Sequence, residues 1–195
     1  MPLPSSKSTL IFAAGFASCL LGLALVFFGA YYFWLQPMIA NRPKILAQSL
    51  TPPPFPSSHP ADFNFAMVDT NGKRVDFQSY RGRVIVLNFW ATWCTPCQAE
   101  LPALGRLAEH YAGQNDVAVV CVSEEVPEVV SKNPSAMKSR APLFSLNGIT
   151  TPVIYHSDGI PATYVIDKKG MVVFQHIGSA DWADASVIRF LDALR

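Results

Sequence analysis

The fold is decided by residues 88 to 102, NFWATWCTPCQAELP, in which two residues separate Cys94 from Cys97. The apolar run at residues 84 to 90 predicts a buried strand, and apolar residues at three-and-four spacing predict a helix over residues 96 to 112. Cys94 is therefore expected at the strand-to-helix turn. Cys97 is expected in the first helical turn, on the same side of the helix.

This position changes the chemistry of a cysteine. Unpaired backbone N–H groups and the helix dipole favour negative charge at a helix N-terminus, so a thiol there loses its proton more easily. Cys97 is close enough to form a disulfide with Cys94 and to reopen it by exchange. Pro96 suits the first helical turn, because its missing N–H would have no partner there. We therefore predict that Cys94 is the attacking thiolate and Cys97 the resolving thiol.

The spacing of the two cysteines also occurs in zinc and haem sites. Haem attachment requires a histidine after the second cysteine, where this chain has Gln98. A zinc site requires further ligands, but Cys19 and Cys121 are isolated and the four histidines are scattered. A redox-active Cys94–Cys97 disulfide is therefore the favoured interpretation, with no cofactor-binding residue and no metal ligand predicted.

Two motifs support a family resemblance. The pattern W-C-x-P-C-x-x-E-x-P, from Trp93 to Pro102, resembles that of the thioredoxin superfamily, in particular its membrane-anchored TlpA/ResA/DsbE-like branch. The segment GIPATYVID, residues 159 to 167, resembles the loop in which a cis-proline faces the redox pair. The resemblance covers residues 61 to 195 and implies that Pro161 is cis and catalytic. The residues expected to contact the substrate are Trp93, Pro96, Ile160 and Pro161.

Glu100 follows Cys97 by three residues within the first motif. A partly buried carboxylate close to Cys97 would have a raised pKa and would be able to relay the proton that Cys97 gains or loses. The alternative is an ordinary helix residue that faces solvent. The motif match favours a catalytic role for Glu100.

The remaining patterns predict an α/β, thioredoxin-like fold, with a central mixed sheet of about five strands flanked by helices. The dipeptide Asn71-Gly72 predicts a hairpin before the core. Further strands are expected at residues 117–122, 162–166 and 171–176, and a closing helix at residues 182–194. The solvated start of another helix is expected at Glu124, Glu125 and Glu128. Residues 143 to 160 carry the weakest pattern, with a short strand expected at residues 143–146 and a loop or one helical turn at residues 152–157. The redox pair is expected at the C-terminal end of the first central strand, where open α/β sheets bind ligands.

The N-terminal third has a different composition. After a tail at residues 1–9, residues 10–35 form an uncharged run that predicts a transmembrane signal-anchor helix. As a helix this run would be about 39 Å long, against a hydrocarbon core of about 30 Å, so it can span with tilt. Residues 36–60 predict a proline-rich linker, and residues 61–195 the thioredoxin-like domain.

Two other interpretations of the apolar run are a cleaved signal peptide and a lipoprotein processed at Cys19. The run is longer than the apolar region of a signal peptide, and a long apolar stretch would remain after a lipidated Cys19. The few flanking charges do not decide the orientation. The family resemblance implies a single-pass protein of the bacterial cytoplasmic membrane, with its soluble domain facing the periplasm or cell exterior.

Charge is also distributed unevenly. All 14 acidic residues lie from Asp62 onward, whereas residues 1 to 60 contain three basic residues and no acidic one. The remaining 12 basic and 14 acidic residues give no sign of a nucleic-acid-binding surface. Nucleic acid is therefore not an expected partner.

Together these features predict a membrane-tethered thiol–disulfide oxidoreductase that reduces disulfides in exported proteins. Its expected partners are protein clients and an upstream membrane thiol donor, and the resemblance implies apocytochrome c as a client. One alternative is a copper- or metal-delivery module that uses the same cysteines. The other is a peroxidase of the peroxiredoxin type, which needs a threonine where this chain has Ala91.

Overall fold

The computed structural model describes residues 22–35 and 58–195, which belong to two compact units that are treated separately. In the first, residues 22–30 are α-helical and Tyr31–Leu35 form a π-helical turn. No helix within the described ranges is both long enough and apolar enough to cross a membrane. Residues 10–21 of the expected span, and most of the expected linker, lie outside the described residues.

Eight strands and four α-helices make up the described part of the second unit. The strands are β1 (His59–Pro60), β2 (Ala66–Asp69), β3 (Arg74–Asp76), β4 (Val84–Phe89), β5 (Val117–Ser123), β6 (Leu143–Ser145), β7 (Ala162–Ile166) and β8 (Met171–Ile177). The helices are α1 (Thr95–His110), α2 (Pro127–Lys132), α3 (Pro134–Lys138) and α4 (Ala185–Ala193), with 3₁₀ turns at Phe77–Tyr80 and Val153–Tyr155.

The strands form one mixed sheet in the order β1-β8-β7-β4-β5-β6-β2-β3. Strands β4, β5 and β6 are parallel, and the other neighbours are antiparallel. The predicted α/β class is confirmed, but the expected count of about five strands was wrong. The hairpin β2–β3 joins the sheet through β6, and β1 adds a further edge strand. The two residues of β1 carry too little periodicity to be predicted.

Strand β4 is buried along its whole length, because both faces of the sheet are covered. Val84 and Val86 lie in one hydrophobic cluster with the apolar face of α1, whereas Ile85 and Leu87 lie in a second cluster on the opposite face. This alternation follows from the period of two in a strand. The two-sided core fixes the end of β4, from which the redox pair extends.

The segment between β5 and β6 differs from the expectation of one solvated helix start. Helix α2 begins only at Pro127, and Glu125 before it is half-buried. Asn133 ends α2 and caps α3, because its side chain accepts hydrogen bonds from the backbone N–H groups of Ser135 and Ala136, each at 3.0 Å. Glu124 and Glu125 therefore precede α2, and only Glu128 of the three lies in its first turn.

Gly105 marks the closest approach of α1 to the segment before β6. A Cβ atom at this position would lie 3.1 Å from the backbone nitrogen of Ala141 and 3.2 Å from the carbonyl carbon of Arg140. Such contacts are tighter than normal packing allows, and backbone atoms cannot rotate away. Any larger residue at this position would therefore require the 140–141 segment to move by a few tenths of an ångström.

We expect Gly105→Ala to lower the free energy of unfolding by up to about 2 kcal/mol, because an overpacking cost of about 1–3 kcal/mol is offset by a helix-propensity gain of about 1 kcal/mol. Urea unfolding measures this change. Ala99→Gly, at an exposed position of α1, reports the propensity term alone and should cost about 1 kcal/mol. Stabilisation by Gly105→Ala would show that the 140–141 segment yields to the methyl group.

Candidate active site

Cys94 and Cys97 form a disulfide at the junction of β4 and α1. Cys94 is the N-cap residue of α1, and its sulfur accepts a hydrogen bond from the backbone N–H of Cys97 at 3.2 Å. The prediction that the pair lies at a helix N-terminus is confirmed. The N–H groups and the dipole of α1 therefore favour a thiolate at Cys94 when the disulfide is reduced.

The two cysteines differ in exposure in the predicted direction, although both are buried. Cys94 retains 5% of its accessible surface and Cys97 retains none. Trp93 is 72% exposed beside them, and Pro96 is also exposed. An incoming protein therefore meets Cys94 first, with Trp93 as its apolar neighbour.

The loop before Cys94 is held by a carboxylate that sequence reasoning did not assign to the site. Glu125 accepts hydrogen bonds from the backbone N–H of Thr92 at 2.7 Å and from its hydroxyl at 2.6 Å. Ser123 also donates to Glu125, and the side chains of Gln98 and Asn133 donate to the carbonyl oxygen of Thr92. These bonds join the end of β5 to the loop and thereby position Cys94.

The Ile160–Pro161 peptide bond is cis, as predicted. The carbonyl oxygen of Ile160 lies 3.7 Å from the sulfur of Cys94, so the loop before β7 lies directly against the disulfide. The carbonyl oxygen of Pro161 accepts a hydrogen bond from the backbone N–H of Gly178 at 2.8 Å. The two motifs from residues 93 and 159 are therefore brought together in space.

Glu100 is only 2% exposed, which excludes the solvent-facing alternative. Its Oε1 accepts a hydrogen bond from Asn88 at 2.7 Å, and its Oε2 accepts from the indole N–H of Trp182 at 3.0 Å and from the backbone N–H of Ala180 at 3.2 Å. Burial raises the pKa of Glu100 to about 7, although the three hydrogen bonds oppose the rise. The carboxyl group can therefore gain or lose a proton near neutral pH.

Asn88 and Trp182 were not predicted as site residues. Asn88 is the one polar residue in the apolar run of β4, and this break in the pattern was a usable signal. Trp182 carries no local signal, because it is 82 residues from Glu100 and meets it only in the folded chain. Cys121 is fully buried, and burial raises the pKa of its thiol well above the usual range. It is a core thiol, as expected.

A cleft of about 610 Å³ opens beside the disulfide. Trp93 and Ile160 lie on its lining, so it adjoins the redox pair. Its acidic and histidine lining residues are Glu124, Glu125, His156 and Asp158. His156, expected to be a surface residue, is exposed and contacts the carbonyl oxygen of Thr151 at 2.7 Å. The poorly patterned segment of residues 143–160 therefore supplies one wall of the cleft.

Within residues 22–35 and 58–195, no group of three or more histidine, cysteine, aspartate or glutamate residues is arranged to hold a metal ion. The arrangement around Cys94 and Cys97 is instead suited to thiol–disulfide exchange, with a thiolate-stabilising helix end and a buried carboxyl group nearby.

The raised pKa of Glu100 predicts a specific dependence of stability on pH. Between about 4.5 and about 7 the native state keeps a proton that the unfolded chain has lost, so stability should fall as pH rises through this window. The full shift corresponds to about 3 kcal/mol, which is an upper value. Glu100→Gln should remove this fall, because glutamine does not titrate.

The measurement is urea unfolding of the oxidised protein at about pH 5 and about pH 8. Glu128→Gln, at an exposed carboxylate of α2, is the matched control and should keep the wild-type dependence. An equal fall in wild type and in Glu100→Gln would show that Glu100 does not titrate in this window.

The comparisons with known proteins agree with this site. The sequence model of the AhpC/TSA family matches residues 59–175. Thioredoxin-like protein YneN of Bacillus subtilis (strain 168) is 32% identical over 125 residues, which cover 60% of this chain and 69% of YneN. Thiol-disulfide oxidoreductase ResA of the same organism is 32% identical over 120 residues, which cover 56% of this chain and 62% of ResA.

The chain thus spans less than two thirds of the length of ResA. Among solved structures, one assigned as the thiol:disulfide interchange protein DsbE of Chlorobium tepidum has a TM-score of 0.56 and 26% identity, covering 71% of this chain and 100% of that chain. The family match covers more than half of the sequence, and the fold and the cysteine pair agree with it. The chain therefore belongs to the AhpC/TSA family, and its folded domain is a thioredoxin-like thiol–disulfide oxidoreductase of the ResA and DsbE type.

Proposed function

We propose that this protein works as a reductant, which opens disulfides in exported client proteins from a membrane-tethered position. The observation that supports the reductive direction is the buried carboxyl group of Glu100, which has a pKa of about 7. Glu100 lies three residues beyond Cys97 on the same helix. A resolving thiol must lose its proton before it can attack, and residues three apart share a helix face. These features support Glu100 as the group that accepts that proton.

The reaction starts from the reduced pair. The Cys94 thiolate attacks one sulfur of the client disulfide, forms a mixed disulfide and displaces the first client thiolate. Cys97 then gives its proton to Glu100, attacks the sulfur of Cys94 and releases the second client thiolate. The client has gained two electrons, and the protein is left with the Cys94–Cys97 disulfide. An upstream membrane thiol donor returns the two electrons by the same exchange.

Client binding is assigned to the cleft beside the disulfide. The exposed ring of Trp93 and the half-buried Ile160 lie on its lining next to Cys94, and Pro96 and Pro161 adjoin the pair. The carbonyl group of Ile160 lies against Cys94 and contacts the sulfur that would carry the client. A client segment bound here would place its disulfide over Cys94. Apocytochrome c is the client class that the resemblance to the branch implies.

The test of this function is a trapping experiment with single cysteine variants. Cys97→Ser should accumulate mixed disulfides with clients in cells, because the intermediate cannot be resolved. Cys94→Ser should accumulate none, because the attacking thiolate is missing. Purified wild-type protein should also catalyse insulin reduction. Copper titration and peroxide consumption test the metal-delivery and peroxidase alternatives on the same protein.

The two variants also decide the division of roles. If Cys94→Ser keeps disulfide reductase activity, or if Cys97 is alkylated faster than Cys94 near neutral pH, the roles assigned to the two thiols are wrong. Glu100→Gln should leave Cys94 alkylation nearly unchanged and slow the resolving step by about 10²–10⁴-fold, the usual contribution of a proton-transfer group. Equal resolving rates in wild type and variant would remove Glu100 from the mechanism.

Membrane tethering is supported by the uncharged run of residues 10–35 and by the proline-rich segment that follows it. We expect the full chain to fractionate with membranes and to resist carbonate extraction. A variant chain that begins near Ala61, where the predicted thioredoxin-like domain starts, should be soluble. Release of the full chain by carbonate would contradict a membrane-spanning anchor.

A further inference from the structure

The carboxyl group of Glu100 belongs to a buried polar cluster behind the disulfide. The cluster consists of the side chains of Asn88, Glu100, Thr163 and Trp182 and the backbone N–H of Ala180. Asn88 and Thr163 have no exposed surface, and Trp182 retains only 1%. At this depth, every donor and acceptor needs a partner within the protein.

The observed hydrogen bonds fit an ionised Glu100. Three N–H groups point at its two oxygens: Ala180 and Trp182 at Oε2, and Asn88 at Oε1. An ionised carboxylate only accepts hydrogen bonds, so all three donors are satisfied. The two oxygens are not equivalent, because Oε2 has two donors and Oε1 has one.

Asn88 uses only half of its hydrogen-bonding capacity in this arrangement. Its Nδ2 donates to Glu100 Oε1 at 2.7 Å and to Thr163 Oγ1 at 2.9 Å. Its Oδ1 is buried and has no hydrogen-bond partner among the described residues. An unpaired buried acceptor is unfavourable, so this side chain is poorly matched to a single fixed orientation.

A protonated Glu100 would need a hydrogen-bond acceptor beside its O–H group. The proton would be placed on Oε1, because Oε2 already accepts two N–H groups. The new O–H would then face the Nδ2 group of Asn88, which is also a donor. A half-turn of the amide brings Oδ1 into the place of Nδ2, where it accepts hydrogen bonds from Glu100 and from the hydroxyl of Thr163. No bond from Oδ1 to another described residue is lost, since none is present.

We propose that Asn88 is a positioning residue whose side-chain amide turns over when Glu100 gains or loses its proton, so that the carboxyl group is hydrogen-bonded in both charge states. Its relevance to the reaction rests on the proposed function, in which Glu100 takes the proton of Cys97. The amide then acts as a donor to the carboxylate before the transfer and as an acceptor from the carboxylic acid after it. The proton can move without displacement of the backbone.

Two further titratable side chains, Cys121 and His176, lie near the cluster. Cys121 of β5 pairs in register with Asn88, and burial together with the charge of Glu100 raises the pKa of its thiol. The ring of His176 of β8 lies 6.0 Å from that of Trp182, and burial lowers the pKa of this histidine. Both groups therefore stay neutral near pH 7. Cys97, on the helix of Glu100, does not titrate while the disulfide is intact.

The test is a nuclear magnetic resonance titration of the oxidised protein that follows the side chains of Glu100, Asn88 and Thr163. The Glu100 carboxyl carbon gives the midpoint of protonation. Above that midpoint, the amide protons of Asn88 should show nuclear Overhauser contacts to the methyl group of Thr163. Below it, these contacts should be lost with the same midpoint. The side-chain amide of Gln175, which donates to the hydroxyl of Tyr164 at 3.2 Å, is the internal control and should not change.

Glu100→Gln supplies a second measurement, because its NH₂ group imitates the proton of the neutral acid. In this variant, Asn88 should lack the contacts to Thr163 at every pH. Persistence of the contacts across the whole titration, their retention in Glu100→Gln, or a parallel change at Gln175 would overturn the proposal. Because no client is present, this outcome is independent of the trapping experiment, whose failure would instead overturn the reductase function.

Discussion

The structure depends on one constraint, which is that an ionisable carboxyl group is buried beside a disulfide. A charged group removed from water needs hydrogen bonds to replace its hydration. Glu100 receives them from two separate parts of the fold, namely Asn88 on the central strand and the loop of Ala180 and Trp182 before the last helix. The pKa near 7 is the balance between this burial and these donors. A stronger set of donors would hold the group ionised, and a drier site would hold it neutral.

The same loop also connects the carboxyl group to the substrate side of the disulfide. Gly178 donates to the carbonyl oxygen of Pro161, and Ala180, two residues later, donates to Glu100. On the other side, Glu125 at the end of β5 holds Thr92, which precedes Cys94 by two residues. The disulfide is therefore placed by contacts from both directions, and each contact comes from the end of a strand. The rigid sheet fixes the relative positions of groups that are far apart in sequence.

This arrangement explains which features were predictable from sequence. The strand, the turn and the helix around Cys94 are local, so periodicity and spacing place them within one or two residues. The burial of Glu100 was predicted only in part, because three-residue spacing gives the helix face but not what covers it. Trp182 and Glu125 could not be predicted, since their contacts to the site are set by the order of strands in the sheet. The short edge strands, such as β1, were missed because pairing across the sheet, rather than their own sequence, makes them strands.

The position of Asn88 shows how a departure from local pattern carries functional information. A valine or leucine would suit the centre of a strand buried on both faces, and an amide there is unfavourable unless it is paired. In the observed orientation, beside a carboxylate, its Oδ1 has no partner among the described residues. After a half-turn, beside a carboxylic acid, its Nδ2 would take that place instead. An amide that hydrogen-bonds its neighbour in both protonation states therefore leaves one of its own polar atoms at the unpaired position in each state. On the proposed turnover of the amide, the Asn88 Oδ1 that has no partner among the described residues is what allows Glu100 to be hydrogen-bonded both with and without its proton.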